Sequence, residues 1–275
     1  MARSSEPKSK ASPRRAAKGK SAPAPQRGVR GYFAETRAPL TAAALTLPLL
    51  LLYGVGSLFV PEARNGADLL TSALSLSFTT AGWQGWRPWA WFYGVLVLIN
   101  LGIVIWLGRR ARLSWIIVPP LLIECAIYAV ATGTAADWLT SQMLDAARAH
   151  LAAAPLSASA GAEAGVDTWT GLLISAGAGL HEELIFRLAG IGLIARVWLG
   201  DNWRTHALPV VLLACLSSLA FAGVHHLVEP FTWGAMIFRT VAGLVFASLY
   251  LARGFAVAAW THALYDVWIL VVLSR

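Results

Sequence analysis

The chain contains several runs of about twenty mainly apolar residues, and a run of that length is best accommodated as a helix crossing a bilayer, where every backbone group is paired within the segment. Such runs lie near residues 39–60, 88–108, 113–131, 169–197, 207–227, 233–252 and 255–273. Composition agrees: 57% hydrophobic residues, 13% charged and a mean hydropathy of +0.61 leave too little polar surface for a soluble domain of 275 residues. The expected fold class is an all-α polytopic membrane protein with about seven transmembrane helices. The fourth run exceeds one crossing, and Gly190 and Gly192 are where it is expected to divide into a span and an interfacial helix.

Charge orients these spans. Residues 1–37 hold 10 of the 22 Lys and Arg, against Glu6 and Glu35 alone, so this segment carries the whole net charge of +8. Its Ser, Pro, Ala and Lys content cannot support a core, and it reads as a disordered basic cytoplasmic tail. No aromatic interleaving points to nucleic acid, so none is expected as a partner. Arg109, Arg110 and Arg112 after the second span, and Arg196, Arg204 and Arg253 later, then fall on the same inner side. The expected organisation is tail 1–37, N-terminal transmembrane helices 38–112 and a second transmembrane domain 113–275. Two loops remain. Residues 61–87 run into the cluster Trp83, Trp86, Trp89 and Trp91, read as an interfacial anchor; residues 132–168, with the amphipathic stretch Asp137 to Leu151, read as a connector. Cys125 and Cys215 sit in apolar spans and read as packing residues.

Within the spans stand groups that hydrocarbon disfavours, which makes them candidates for function. The fourth carries His181, Glu182, Glu183 and Arg187; the fifth ends Phe221-Ala-Gly-Val-His225-His226; the seventh contains His262-Ala-Leu-Tyr265-Asp266. Glu183 and Arg187 are four residues apart and share a face, so they can pair and lower the cost of burying both. His262 and Asp266 have the same spacing. Glu182 is turned about 100° from Glu183, which leaves one carboxylate for chemistry. The expectation is three helices whose catalytic groups face one intramembrane cavity.

E-E-x-x-x-R at Glu182 to Arg187, F-x-x-x-H at Phe221 to His225 and H-x-x-x-D at His262 to Asp266 resemble, in order, the three motifs of the CPBP family of CAAX-protease and bacteriocin-processing intramembrane peptidases, also called Abi. The resemblance spans roughly residues 115–273 and implies an intramembrane endopeptidase of glutamic or metallo type. It implies Glu182 and His225 as base and partner activating water, His262 and Asp266 at the oxyanion, and Glu183, Arg187 and Phe221 in support. CAAX-processing members carry Asn where this chain has Asp266, so protonation, orientation of His262 and metal ligation all stay open for that carboxyl. No cofactor is the expectation. Zinc is the alternative, with Glu182, His225, His262 and Asp266 as its ligands, although H-E-x-x-H fails because position 185 is Ile.

The substrate implied is a membrane-embedded or C-terminally anchored protein or peptide, with the lipid bilayer as surroundings. The Arg- and Ala-rich composition points to a high-GC bacterial source and so to the bacterial cytoplasmic (inner) membrane. His181 and His226 read as neighbours of the site, Glu124 as a buried protonated carboxyl bonded to a neighbouring helix, Arg239 as a side chain snorkelling to the outer interface and Tyr265 as packing. No G-x-S-x motif lies in a span, and Trp198 precedes Gly200-Asp201 where an aspartyl G-x-G-D motif needs Gly. The alternatives are a transporter or ion-coupled channel using the same groups as a relay, or an inactive immunity-type member of the family; no inverted repeat supports the transporter.

Overall fold

A computed structural model describes residues 28–60, 69–150, 167–227 and 229–273. Its helices are α1 (Val29–Thr36), α2 (Pro39–Phe59), α3 (Leu69–Thr80), α4 (Arg87–Gly108), α5 (Val118–His150), α6 (Thr168–Glu183), α7 (Ile194–Leu199), α8 (Ala207–His225), α9 (Trp233–Arg253) and α10 (Phe255–Val267). Leu184–Leu193 joins α6 to α7, and Trp268–Leu273 extends α10, both in the wider π-helical geometry. No strand occurs among the described residues. The all-α polytopic expectation holds, and six helices are individually long and apolar enough to cross a bilayer: Pro39–Phe59, Arg87–Gly108, Trp115–Ala146, Ala207–His225, Trp233–Arg253 and Phe255–Leu273.

The expected fourth span, 169–197, is not among these six. The 16 residues of α6 reach only about 24 Å, and the chain continues through the π segment into α7. The geometry changes directly after Glu183 instead of at Gly190 and Gly192, which lie inside the widened stretch. π turns concentrate at functional sites because they re-aim side chains without breaking the helix.

Three stretches are more ordered than the sequence reading allows, the first being α3 within the expected loop 61–87. The expected connector after residue 131 is helical to His150, continuous with α5. Within it Thr132 and Thr134 return their hydroxyls to the Tyr128 and Val130 carbonyls and so cost the helix little. The rest of that connector, 151–166, lies outside the described residues, as does the tail from 1 to 27. Residues 29–36, read as tail, form α1. Its anchor is a buried knot in which Glu124 on α5 accepts two bonds of 2.7 Å from Arg253 on α9 and one of 2.5 Å from Tyr32, while Arg253 also donates to Thr36 at 2.9 Å. A carboxylate accepting a guanidinium fork is ionised, so Glu124 is not the protonated carboxyl expected. Burial, and then the Glu124 carboxylate, raise the Tyr32 phenol above its ordinary range.

Lipid supplies no hydrophobic drive between helices, so the interior depends on close packing and small residues. α6 lies against α10 and α2, α10 also against α5 and α9, and α8 against α9 and the π segment. A Cβ on Gly179 would come within 2.6 Å of the Ala263 nitrogen and 2.7 Å of the Ala259 carbonyl, so only glycine permits the α6–α10 approach. Gly254, at φ +96°, is the sole residue between α9 and α10 and turns the chain where L side chains are strained. α4 is peripheral, with 6% of its apolar window buried. Of the tryptophan cluster, Trp83, Trp86 and Trp91 are exposed, as an anchor requires, whereas Trp89 is buried against Phe78 and Tyr93.

Candidate active site

α6, α8 and α10 bring the three motifs together, and α9 closes the group. Glu183 and Arg187 straddle the junction of α6 and the π segment and pair at 3.0 Å, both completely buried. The second arm of the Arg187 guanidinium donates to the Gly243 carbonyl of α9 at 3.0 Å, and its carbon lies 4.6 Å from the Phe221 ring centre. The expected supporting pair is present, with two further contacts that help satisfy the buried cation.

Glu183 does more than neutralise Arg187. The same oxygen, Oε1, accepts a 2.8 Å bond from His262 Nδ1. That bond fixes the ring so that Nε2 faces Glu182 Oε2 at 3.7 Å and Asp266 Oδ2 at 3.6 Å. The two adjacent glutamates were expected to face different surroundings; instead they approach the two nitrogens of one imidazole. Asp266 does not hold His262 from Nδ1, because Glu183 occupies that position.

His225 is the last residue of α8, where backbone carbonyls lose their helical partners. Its Nδ1 lies 2.8 Å from the Phe221 carbonyl, which only accepts, so Nδ1 carries the proton and Nε2 is left toward Glu182 Oε1 at 4.0 Å. The spacing F-x-x-x-H thus has a physical basis. One turn supplies both the carbonyl that sets the tautomer and a ring that packs against His225 and His262, with centroids 5.0 and 5.8 Å apart.

Three contributors were not recognised from sequence. Phe246 on α9 stacks on the His262 ring at 4.4 Å and 15°; Gly243 offers its carbonyl to Arg187; Ser217 donates to the Phe186 carbonyl within the π segment. Each is apolar or small within an apolar helix, and no spacing distinguishes it. His181 packs against the Tyr53 and Tyr93 rings, and His226 against Phe231 in the connector after α8. Arg239 is paired with Glu229 at 2.6 Å. Tyr265 packs on Phe246 as expected. Among the described residues no group of three or more His, Cys, Asp or Glu stands in metal-holding geometry.

Fold and site define a multi-pass membrane protein with a buried carboxylate, imidazole and guanidinium cluster. The family model for Type II CAAX prenyl endopeptidase Rce1-like matches residues 164–268, the segment that holds all three motifs and the helices bearing them. Over this segment the chain is similar to the Rce1-like CAAX endopeptidases, the family that the three motifs resemble. The match leaves α1 to α5 outside it. No curated protein and no solved structure matches the chain.

Proposed function

We propose that the chain is an intramembrane endopeptidase that hydrolyses a peptide bond of a membrane-associated or C-terminally anchored protein. The observation that carries this reading is the position of Glu182, whose two oxygens face His225 and His262 from a site almost closed to solvent. A water between Glu182 and His225 Nε2 meets two acceptors and gives up its proton to the carboxylate as its oxygen attacks the scissile carbonyl. His262, oriented by Glu183 and backed by the Phe246 ring, donates from Nε2 to the oxyanion. Asp266 faces the same nitrogen and balances its charge. Low-dielectric surroundings strengthen each of these interactions. Protonated Glu182 then returns its proton to the leaving amine, and the site is restored. Glu183 and Arg187 act through His262 and are positioning residues.

This scheme needs no metal. The location that fits is a bacterial cytoplasmic membrane, as the composition suggests. Mass spectrometry of membranes containing the wild type or equal amounts of Glu182→Gln tests the reading and identifies substrates. Proteins cleaved only with the wild type support it, and identical termini in both membranes overturn it. Purified wild type should keep its rate after exhaustive chelation; loss of activity restored by zinc would transfer the chemistry to a metal. Solute flux in proteoliposomes that depends on Glu182, without proteolysis, would favour the relay instead.

A further inference from the structure

Far from the titratable cluster, α4 carries one charge. Arg87, its first residue, is exposed and is the only Lys, Arg, Asp or Glu between residues 69 and 108, so neither α3 nor α4 offers it an acid. Around it stand Trp83, Trp86 and Trp91, all exposed, at the level where tryptophans mark the edge of the hydrocarbon.

Two open clefts meet at this residue. One, of about 690 Å³, is lined by Phe78, Trp83, Gln84, Pro88 and Phe92; the other, of about 620 Å³, by Trp86, Ala90, Gly94 and Leu98. Arg87, Trp91 and Val95 line both. Those three recur at i, i+4 and i+8, the spacing of a ridge along a helix, so the ridge parts the clefts and ends at the guanidinium. Phe78 stacks with Trp83 at 6.1 Å and meets the buried Trp89 edge-on at 5.2 Å, which fixes the aromatic wall against the core. The opposite groove exists because Ala90 and Gly94 are small. A Cβ on Gly94 would meet nothing within 4 Å among the described residues, so packing inside the chain does not call for glycine there. From Arg87 to Leu98 α4 rises about 16 Å, close to half of a hydrocarbon core of about 30 Å. The second cleft therefore runs the depth of one leaflet.

We propose that this surface binds one anionic diacyl phospholipid, its two acyl chains lying in the two clefts astride Trp91 and its phosphate on Arg87. A helix from a second copy would fill one groove and leave the other, and the cation, unmatched. Charge decides the headgroup class. A phosphate with no compensating ammonium suits a guanidinium that has no neighbouring acid, whereas a zwitterionic head brings a second cation that neither helix can pair. Phe78 and Phe92 pack on the core cluster that contains Leu180 of α6, so the bound lipid braces α3 and α4 against the helix that bears Glu182.

Native mass spectrometry of the full chain, delipidated in detergent and titrated with dipalmitoyl phosphatidylglycerol or dipalmitoyl phosphatidylcholine, tests this. Matched acyl chains leave the headgroup as the variable. The first phosphatidylglycerol should bind about tenfold more tightly than the first phosphatidylcholine, as a charge-assisted contact gives. Arg87→Gln should erase that preference and Arg87→Lys should keep most of it. Gly94→Leu, which fills one cleft and leaves the charge in place, should weaken both lipids about tenfold, with the unfolding midpoint of the delipidated protein unchanged. Phosphatidylglycerol should also raise the wild-type midpoint more than phosphatidylcholine does, a difference lost in Arg87→Gln. Equal retention of the two lipids, the mark of annular lipid only, overturns the proposal, as does a preference that survives Arg87→Gln. A lipid-free dimer that Gly94→Leu dissociates would assign the surface to a second copy and overturn it too. None of these results bears on whether Glu182 is required for proteolysis.

Discussion

Replacing Glu183 by Gln removes one charge from a group that has no solvent to replace it. Arg187 is fully buried and its one ion pair among the described residues is with Glu183 at 3.0 Å, the carbonyl of Gly243 being neutral. An uncompensated buried charge costs about 3–5 kcal/mol. At roughly 2–4 °C per kcal/mol for a chain of this size, the unfolding midpoint in detergent should fall by roughly 6–20 °C. The double variant Glu183→Leu, Arg187→Met removes both charges with similar volume and should recover most of the loss, because an apolar replacement for a buried pair is close to neutral. Activity should not recover with it, since His262 has then lost the acceptor that holds Nδ1 at 2.8 Å. Differential scanning fluorimetry of wild type, both single variants and the double variant gives the coupling directly. A Glu183→Gln midpoint within about 2 °C of wild type, or strictly additive single effects, would refute the reasoning.

Gly179→Ala brings a Cβ to 2.6 Å from the Ala263 nitrogen, so α6 and α10 must separate by roughly 0.8 Å to reach ordinary contact; the expected cost is about 1–3 kcal/mol, with about a hundredfold loss of cleavage. Unchanged activity would show that the helix spacing does not set the site. Asp266→Asn should keep activity within about tenfold, because the amide also supports a donor at the oxyanion, whereas Asp266→Ala should lose about a hundredfold or more; equal rates for the two would remove Asp266 from the chemistry. At the mouth of α6, outside the long spans, Asp167 is held below the usual carboxylate range first by the Thr170 hydroxyl and then by backbone N–H groups. Its cap is therefore fully present above the unfolded carboxylate pKa and is lost as pH falls through the lowered folded value. Amide exchange at Trp169 and Thr170 should quicken at that point relative to Asp167→Asn, and parallel pH profiles would contradict it.

What the sequence made legible is what hydrocarbon makes expensive. Glu182, Glu183, Arg187, His225, His262 and Asp266 stand out because charge in an apolar run demands a reason, and the four-residue spacings put the members of each pair on one face. The apolar participants had no such signal. Phe246 is one phenylalanine among many in a span, Gly243 acts through its carbonyl, and Gly179 matters only because α10 happens to be its neighbour. Their roles depend on which helices meet, which no local period encodes. Order in α1 and the second half of α5 escaped notice for the opposite reason: polar composition suggested loop, while Glu124 and Arg253, distant in sequence, supply the partners that hold α1 in place. The two glutamates show the limit of helical-wheel reasoning. Placed about 100° apart, they still reach one imidazole, because the ring offers two nitrogens and the helix widens just after them.

The central claim is that Glu182 activates water, and its most direct test is the single-turnover cleavage rate of Glu182→Gln with a substrate identified by the membrane comparison, reconstituted in bilayers alongside the wild type. General-base catalysis by this carboxylate predicts a rate lower by about 10²–10⁴-fold, with substrate binding and the unfolding midpoint little changed. A folded Glu182→Gln protein that cleaves within tenfold of the wild-type rate would contradict the account.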